Sequence, residues 1–209
     1  MNFPVELFVS ALVTLLIVID PPGVAPVFSS LTSHNEGKDR RAMAIRAVFI
    51  ATIILVAFAA GGEAFLKALG IGLDAFRVAG GIMLFLIALD MVFETRSKRR
   101  EERAKAVSDE ETEDIAVFPL AIPMIAGPGS ITAVMLLTQR AATPMESLAV
   151  YLALALVLAA TLLILLAVGP IMRLVGAKVE AMVTRLLGVI LAALATQIAI
   201  DGLKAMFGA

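Results

Sequence analysis

Residues 5–31 read VELFVSALVTLLIVIDPPGVAPVFSSL, and this stretch decides the fold. From Leu7 to Ile19 it carries no charge. Asp20, Pro21, Pro22 and Gly23 then interrupt it, Pro26 follows, and apolar sequence resumes to Leu31. A helix of about 20 apolar residues crosses the hydrocarbon core of a bilayer, so the stretch is long enough to span. A continuous helix through residues 20–26 is not expected. Proline removes a backbone donor and clashes with the preceding turn, and glycine weakens the helix further. The segment therefore reads as a membrane span broken inside the membrane. Freed backbone groups cannot face lipid, so the break must be buried in protein or line a cavity.

The rest of the chain agrees with a bilayer environment. It has 209 residues, 60% hydrophobic and 17% charged, with mean hydropathy +0.98. Average soluble domains are about 45–50% apolar and about 25% charged. Further spans are expected over residues 42–62, 71–93, 115–138, 148–168 and 183–207. The fourth is broken again, at Gly127-Pro128-Gly129, after Pro119 and Pro123. The N-terminus lacks a basic n-region, so the first stretch reads as a retained span rather than a removed signal. Between spans three and four runs ETRSKRREERAKAVSDEETED, basic first and acidic after, which reads as a solvated linker. The expected organisation is a first three-helix repeat over 1–93, a charged cytoplasmic linker over 94–114 and a second three-helix repeat over 115–209.

Two patterns give the topology. Thirteen of the seventeen Lys and Arg fall in the loop after span one, in the linker and in the loop after span five; Lys67, Arg77, Arg140 and Lys204 fall on the other side. Positive loops stay in the cytoplasm, which puts both termini outside. A shift of 106 residues lays Ile19–Gly23 on Ile125–Gly129, Leu31-Thr32 on Leu137-Thr138 and Gly70 on Gly176. Three spans per half make the second repeat enter from the opposite side. The expected fold is an all-α membrane protein of six transmembrane helices, two inverted three-helix repeats with the first and fourth helices broken. Many secondary transporters have this plan, with the site where the repeats meet.

Candidate site residues follow from the breaks. Restarted half-helices present unpaired N–H groups and a positive dipole end, which attract a carboxylate. Such N-termini are expected over 23–27 and 129–132, with Ser130 and Thr132 adding hydroxyls. Asp20 is an intramembrane carboxylate, a functional position by default. It is a candidate to carry a coupling proton, to meet a substrate ammonium, or to cap the next half-helix. Asp90, late in span three and matched to Gln197 across a one-residue gap, lines the same cavity or sits at the cytoplasmic rim. Asp74 and Arg77 are spaced to pair on one helix face. His34 reads as a loop residue without a role.

Several classes are excluded. There is no cysteine and a single histidine, so thiolate and His-rich metal sites are absent, and no cofactor is expected. Net charge is −1, which gives no reason to expect nucleic acid. No H-E-x-x-H or Walker A pattern occurs. Ser130 with His34 makes a hydrolase only if the loop folds inward, so the chain does not read as an enzyme.

Asp20-Pro21-Pro22-Gly23-Val24-Ala25-Pro26-Val27-Phe28 resembles the first signature of the MarC family of membrane proteins, Asp or Asn, Pro-x-Gly, then Pro-x-Phe. Pro119-Leu120-Ala121-Ile122-Pro123 with Met124-Ile125-Ala126-Gly127-Pro128-Gly129-Ser130-Ile131-Thr132 resembles the second more closely. The resemblance runs over essentially the whole chain. It implies an inner-membrane protein with external termini, related to ion- or proton-coupled transporters of small neutral amino acids such as alanine and glycine. The motifs carry over to Asp20, Pro22, Gly23, Pro26, Pro123, Gly127, Pro128, Gly129 and Ser130. Many members have Asn after the first-motif Gly, where this chain has Val24, so specificity is open at that position. The implied partners are a neutral amino acid and membrane lipid, with homo-oligomerisation left open. The alternatives are an exporter or channel for another small solute or ion, with Asp20 and Asp90 as ligands for a cation, and a non-transporting membrane scaffold.

Overall fold

The computed structural model describes residues 3–32, 37–93 and 114–208, with residues 171–178 and 180 as backbone only. The charged linker over 94–113 and His34 lie outside the described residues. The described elements are α1 (Val5–Ile19), α2 (Pro21–Leu31), α3 (Gly37–Ala68), α4 (Leu73–Val92), a π-wound segment π1 (Ala116–Ile125), α5 (Pro128–Arg140), α6 (Pro144–Leu166) and α7 (Val168–Phe207). No strand occurs among the described residues. Five stretches are long and apolar enough to cross a membrane; π1 with α5, bent by 51°, makes a sixth when counted as one.

The surface is inverted relative to a soluble protein. On α3, Ile45, Phe49, Ile53 and Val56 are exposed at helical spacing; on α6, so are Leu148, Leu152, Leu156 and Leu163. Such stripes are the lipid-facing sides of membrane helices. Along the helices, six threonine hydroxyls (Thr14, Thr32, Thr52, Thr138, Thr161 and Thr196, the last exposed) donate to the carbonyl four residues back, at 2.7–3.0 Å. Each thereby satisfies its hydroxyl within its own helix, as a medium without water requires.

Lipid tails are as apolar as leucine, so helix association rests on close packing rather than on hydrophobic burial. The tightest pair is α4 with α7. A Cβ on Gly81 would lie 2.7 Å from the Ala199 nitrogen and 2.8 Å from the Ala195 carbonyl. One on Gly188 would lie 2.9 Å from Met91 Cβ and 3.1 Å from the Ala88 carbonyl; one on Gly202 would lie 3.0 Å from the Asp74 carbonyl. The order of these contacts makes the pair antiparallel. The remaining helices interleave: α1 packs on α6 and π1 on α3, α2 packs on α7 and α5 on α4, and α2 also packs on α6 and α5 on α3.

Two elements exceed the sequence expectation. Helix α3 extends past 42–62 at both ends, because Lys38, Asp39, Arg40 and Arg41 continue the helix into water. Residues 169–182 were expected as a loop, yet α7 begins at Val168, one residue after α6 ends. Gly169 and Pro170 fall in its first turn, where proline costs no hydrogen bond, and mostly good helix formers follow. Helix α6 starts on a capping box: Thr143 Oγ1 accepts from the Glu146 nitrogen and Glu146 Oε2 accepts from the Thr143 nitrogen.

Candidate functional site

Asp20 both ends α1 and starts α2. Its N–H donates to the Leu16 carbonyl at 3.0 Å. Its backbone is left-handed, at φ 56° and ψ 64°; among residues with a side chain, Asp and Asn bear this conformation best. Its Oδ1 then accepts from the Gly23 nitrogen at 3.2 Å, and its carbonyl accepts from the Val24 nitrogen at 3.1 Å. Pro21 and Pro22 have no N–H. The first turn of α2 therefore has no amide left for a ligand, and the capping role considered for Asp20 is realised. This moves the restart expected at 23–27 back to Pro21. Gly23 and Val24 lie buried in the first turn, with Pro22 half-buried beside them, and Pro26 stands half-buried inside α2. Asp20 itself is 1% exposed.

The second break is built differently. Phe118 and Ile122 are extended, at φ −128° and −126°, as residues before proline prefer. Pro119 and Pro123 follow them through cis peptides, so π1 is not a continuous helix. The Ala126 nitrogen donates to the Ala121 carbonyl at 2.8 Å, and extended Gly127 leads into α5. A Cβ on Gly127 would collide with the Pro123 carbonyl, so no capping side chain fits there. Pro128 lacks an N–H, and the Ile131 nitrogen donates to the Gly127 carbonyl at 3.0 Å. The N–H groups of Gly129 and Ser130 have no hydrogen bond among the described residues. The hydroxyls of Ser130 and Thr132, 3% and 5% exposed, have none either. They differ in this from the six back-bonded threonines.

The breaks meet. A Cβ on Gly129 would run into Ile87 of α4 and lie 3.3 Å from Val18 Cγ1, two residues before Asp20. One on Gly80 of α4 would lie 2.7 Å from Thr132 Cγ2. The start of α5 is thus wedged between the end of α1 and the middle of α4. Of the residues named from sequence, Asp20, Gly23, Val24, Gly127, Gly129, Ser130 and Thr132 are buried, Pro22 and Pro26 half-buried, and Pro128 exposed. Asp90 is half-buried on α4, one turn beyond Ile87. Its counterpart Gln197 is exposed and donates to Asp201 Oδ1 at 2.7 Å. Val18, Gly80 and Ile87 escaped sequence reasoning. Only the Gly80-Gly81 pair, a mark of close helix approach, gave a signal.

Chemically, the site sets two amide N–H groups and a hydroxyl at a positive helix end, close to the segment carrying a buried carboxylate. The first suits an anionic oxygen, the second a cation or proton.

Comparison with known proteins bears on the whole chain. The model of the MarC family of integral membrane proteins matches residues 5–207. A UPF0056 membrane protein of Methanocaldococcus jannaschii is 39% identical over 199 residues, covering 95% of this chain and 97% of the relative. The UPF0056 inner membrane protein YhgN of Escherichia coli is 36% identical over 196 residues, covering 94% and 95%. No solved structure matches. With its apolar helices and a family match over residues 5–207, the chain belongs to the MarC family of integral membrane proteins.

Proposed function

We propose that the chain is a secondary transporter of small neutral amino acids, of the alanine and glycine type, coupled to protons or another ion. It is built as two inverted three-helix repeats in the inner membrane, with both termini outside. The substrate sits between the two breaks. The observation that carries this reading is the packing of Gly129 against Val18, which brings the open N-terminus of α5 to the end of α1.

The two breaks are complementary. The helix starts put the register at 107 residues, one more than the 106 read from sequence at the breaks: this shift carries Pro21 onto Pro128 and Gly37 onto Pro144, the starts of paired helices, and it carries Asp20 onto Gly127. At the first break the Asp20 carboxylate occupies the helix end. At the second no side chain fits, so the substrate carboxylate takes the corresponding place on the Gly129 and Ser130 amides. Asp20 then holds the ammonium or the coupling proton, and Asp90 is a second carboxylate for coupling.

The repeat is supported by reciprocal packing. The same shift carries Gly81 onto Gly188, and Ala88 and Val92 onto Ala195 and Ala199. Gly81 packs on Ala195 and Ala199; Gly188 packs on Ala88 and Val92. Two-fold symmetry between the halves demands this exchange. The main helix packings follow it too: α1 on α6 exchanges with π1 on α3, α2 on α7 with α5 on α4, and α2 on α6 with α5 on α3. The excess of cations on one side and the name of the Escherichia coli relative, an inner membrane protein, support the topology and the location.

The test is uptake and counterflow of labelled alanine in proteoliposomes, with and without an inward proton gradient, for wild type and Asp20→Asn. Saturable flux driven by the gradient in wild type and lost in the variant is the expected result. Folded wild-type protein inert to alanine, glycine and serine would overturn it in favour of another solute or a scaffold.

A further inference from the structure

A cleft of about 220 Å³ opens at the far end of α5, lined by Arg77, Leu136, Arg140, Ile198 and Asp201. Three helices supply these residues: α4, α5 and α7. Pockets for drug-sized ligands run to roughly 300–1,000 Å³, so this one admits only a small solute. Both signs of charge line it. Arg77 is held by Asp74 Oδ1 at 2.9 Å and Asp201 accepts from Gln197, whereas Arg140 forms no ion pair among the described residues.

Leu136, in the lining of the cleft, is packed on α4 toward the start of α5. Thr132, Leu136 and Arg140 recur every four residues and share one face of α5. Leu136 Cδ1 and Thr132 Cγ2 occupy the space a Cβ would take at Gly80, at 2.9 and 2.7 Å from it. Leu136 therefore lies between the cleft and Thr132, whose hydroxyl has no hydrogen bond. Gln139, three residues beyond Leu136 on the same side of α5, has both amide atoms buried and without a partner among the described residues. A buried amide with no partner is rare in a folded protein and calls for an explanation. Here it borders the line that joins the cleft to the helix start.

We propose that the cleft is the mouth of a path to the α5 N-terminus, that Leu136 seated on Gly80 is its plug, and that the path takes small zwitterions. Arg140 meets the carboxylate, Asp201 the ammonium, and the Gln139 amide receives the solute as it passes. The identity of the solute rests on the transporter reading; the path and its plug do not.

The chain has no native cysteine, which makes single-cysteine labelling clean. In nanodiscs, Thr132→Cys and Val134→Cys are reacted with a charged thiol reagent, each with Leu136 present and with Leu136→Ala. Val134 is fully buried on the opposite side of α5 and reports general loosening. Thr132→Cys should react about tenfold faster when Leu136 is truncated, with Val134→Cys unchanged. An unchanged Thr132→Cys rate, or a parallel rise at Val134→Cys, would overturn the plug. Alanine should slow labelling of the Thr132→Cys, Leu136→Ala protein, and Gln139→Leu should lower alanine flux without lowering thermal stability. Labelling that accelerates on truncation but ignores alanine would overturn the zwitterion and leave the path standing.

Discussion

Asp20 shows how much one residue is asked to do at a break. It must adopt a left-handed backbone, accept from Gly23, and remain a carboxylate 1% exposed among apolar helices. Asparagine meets the first two demands as well as aspartate does. Asp20→Asn should therefore unfold at the wild-type temperature in detergent. Asp20→Ala loses the cap, worth about 1 kcal/mol, and the tolerance for positive φ, worth about 1–2 kcal/mol, and should be measurably less stable. If the Asn variant is stable but loses gradient-driven flux, the carboxylate itself is used; unchanged flux in both variants would reduce Asp20 to a cap. Ser130 poses the converse case. The residue is 3% exposed and its hydroxyl has no hydrogen bond among the described residues, so Ser130→Ala should alter stability by less than about 0.5 kcal/mol. A hydrogen bond to a charged group is worth about 1.5–3 kcal/mol, so the same change should weaken alanine binding about tenfold or more. Isothermal titration of the purified protein reads both the affinity and its loss. The sequence carried part of this. Two prolines before Gly23 mean that only Gly23 and Val24 need partners, and Asp20 stands where it can serve both. What sequence did not reveal is that Gly127 excludes a side chain, since that depends on where the Pro123 carbonyl turns.

At the level of elements, an irregularity at Asp20 and the bend of 51° between π1 and α5 were legible because proline and glycine act locally. Pro21 and Pro22 start a new helix directly after Asp20, where α1 ends, while Pro26 is carried inside α2, so the interruption is one residue wide. The extent of α3 and α7 was not legible, because apolar periodicity stops where water begins while the helix does not. Residues 168–180 of α7 are helical although Gly169, Pro170, Gly176 and the charges Arg173, Lys178 and Glu180 interrupt the apolar run, and that interruption reads as a loop. The α4–α7 pair was legible only as scattered glycines. In the fold these mark a close approach of α4 and α7, and the distances rank them. A Cβ at Gly81 meets backbone atoms of α7 at 2.7 and 2.8 Å, which move only if the helices separate. At Gly188 the first obstacle is Met91 Cβ at 2.9 Å, with backbone at 3.1 Å. Gly81→Ala should cost about 1–3 kcal/mol by overpacking, and Gly188→Ala less. Thermal unfolding of the two variants in one detergent gives the order. Equal stability of Gly81→Ala and wild type would mean that the helices are not held this close in the membrane.

At the level of the whole molecule, the proposed inverted repeat and the proposed orientation rest on separate observations. Reciprocal packing of Gly81 and Gly188 concerns the interior; the thirteen-to-four division of cations concerns the two surfaces. Neither depends on the other, although six of the thirteen cations stand in the linker, between Arg96 and Lys105. Helix α3 offers the most direct check, because it carries Arg41 at one end and Lys67 at the other, both exposed. At 1.5 Å per residue it is about 48 Å long, more than the roughly 30 Å hydrocarbon core, so its ends must emerge on opposite sides if it crosses. In intact cells, an impermeant thiol reagent should label Lys67→Cys and Lys204→Cys, and should label Arg41→Cys only after permeabilisation. The mirror result would reverse the orientation while keeping the inverted repeat, because both halves would turn over together. Labelling of Arg41→Cys and Lys67→Cys from the same side is the damaging outcome. It would take α3 out of the set of spanning helices, leave the halves with unequal numbers of crossings, and remove the reason for the second half to enter the membrane from the opposite face.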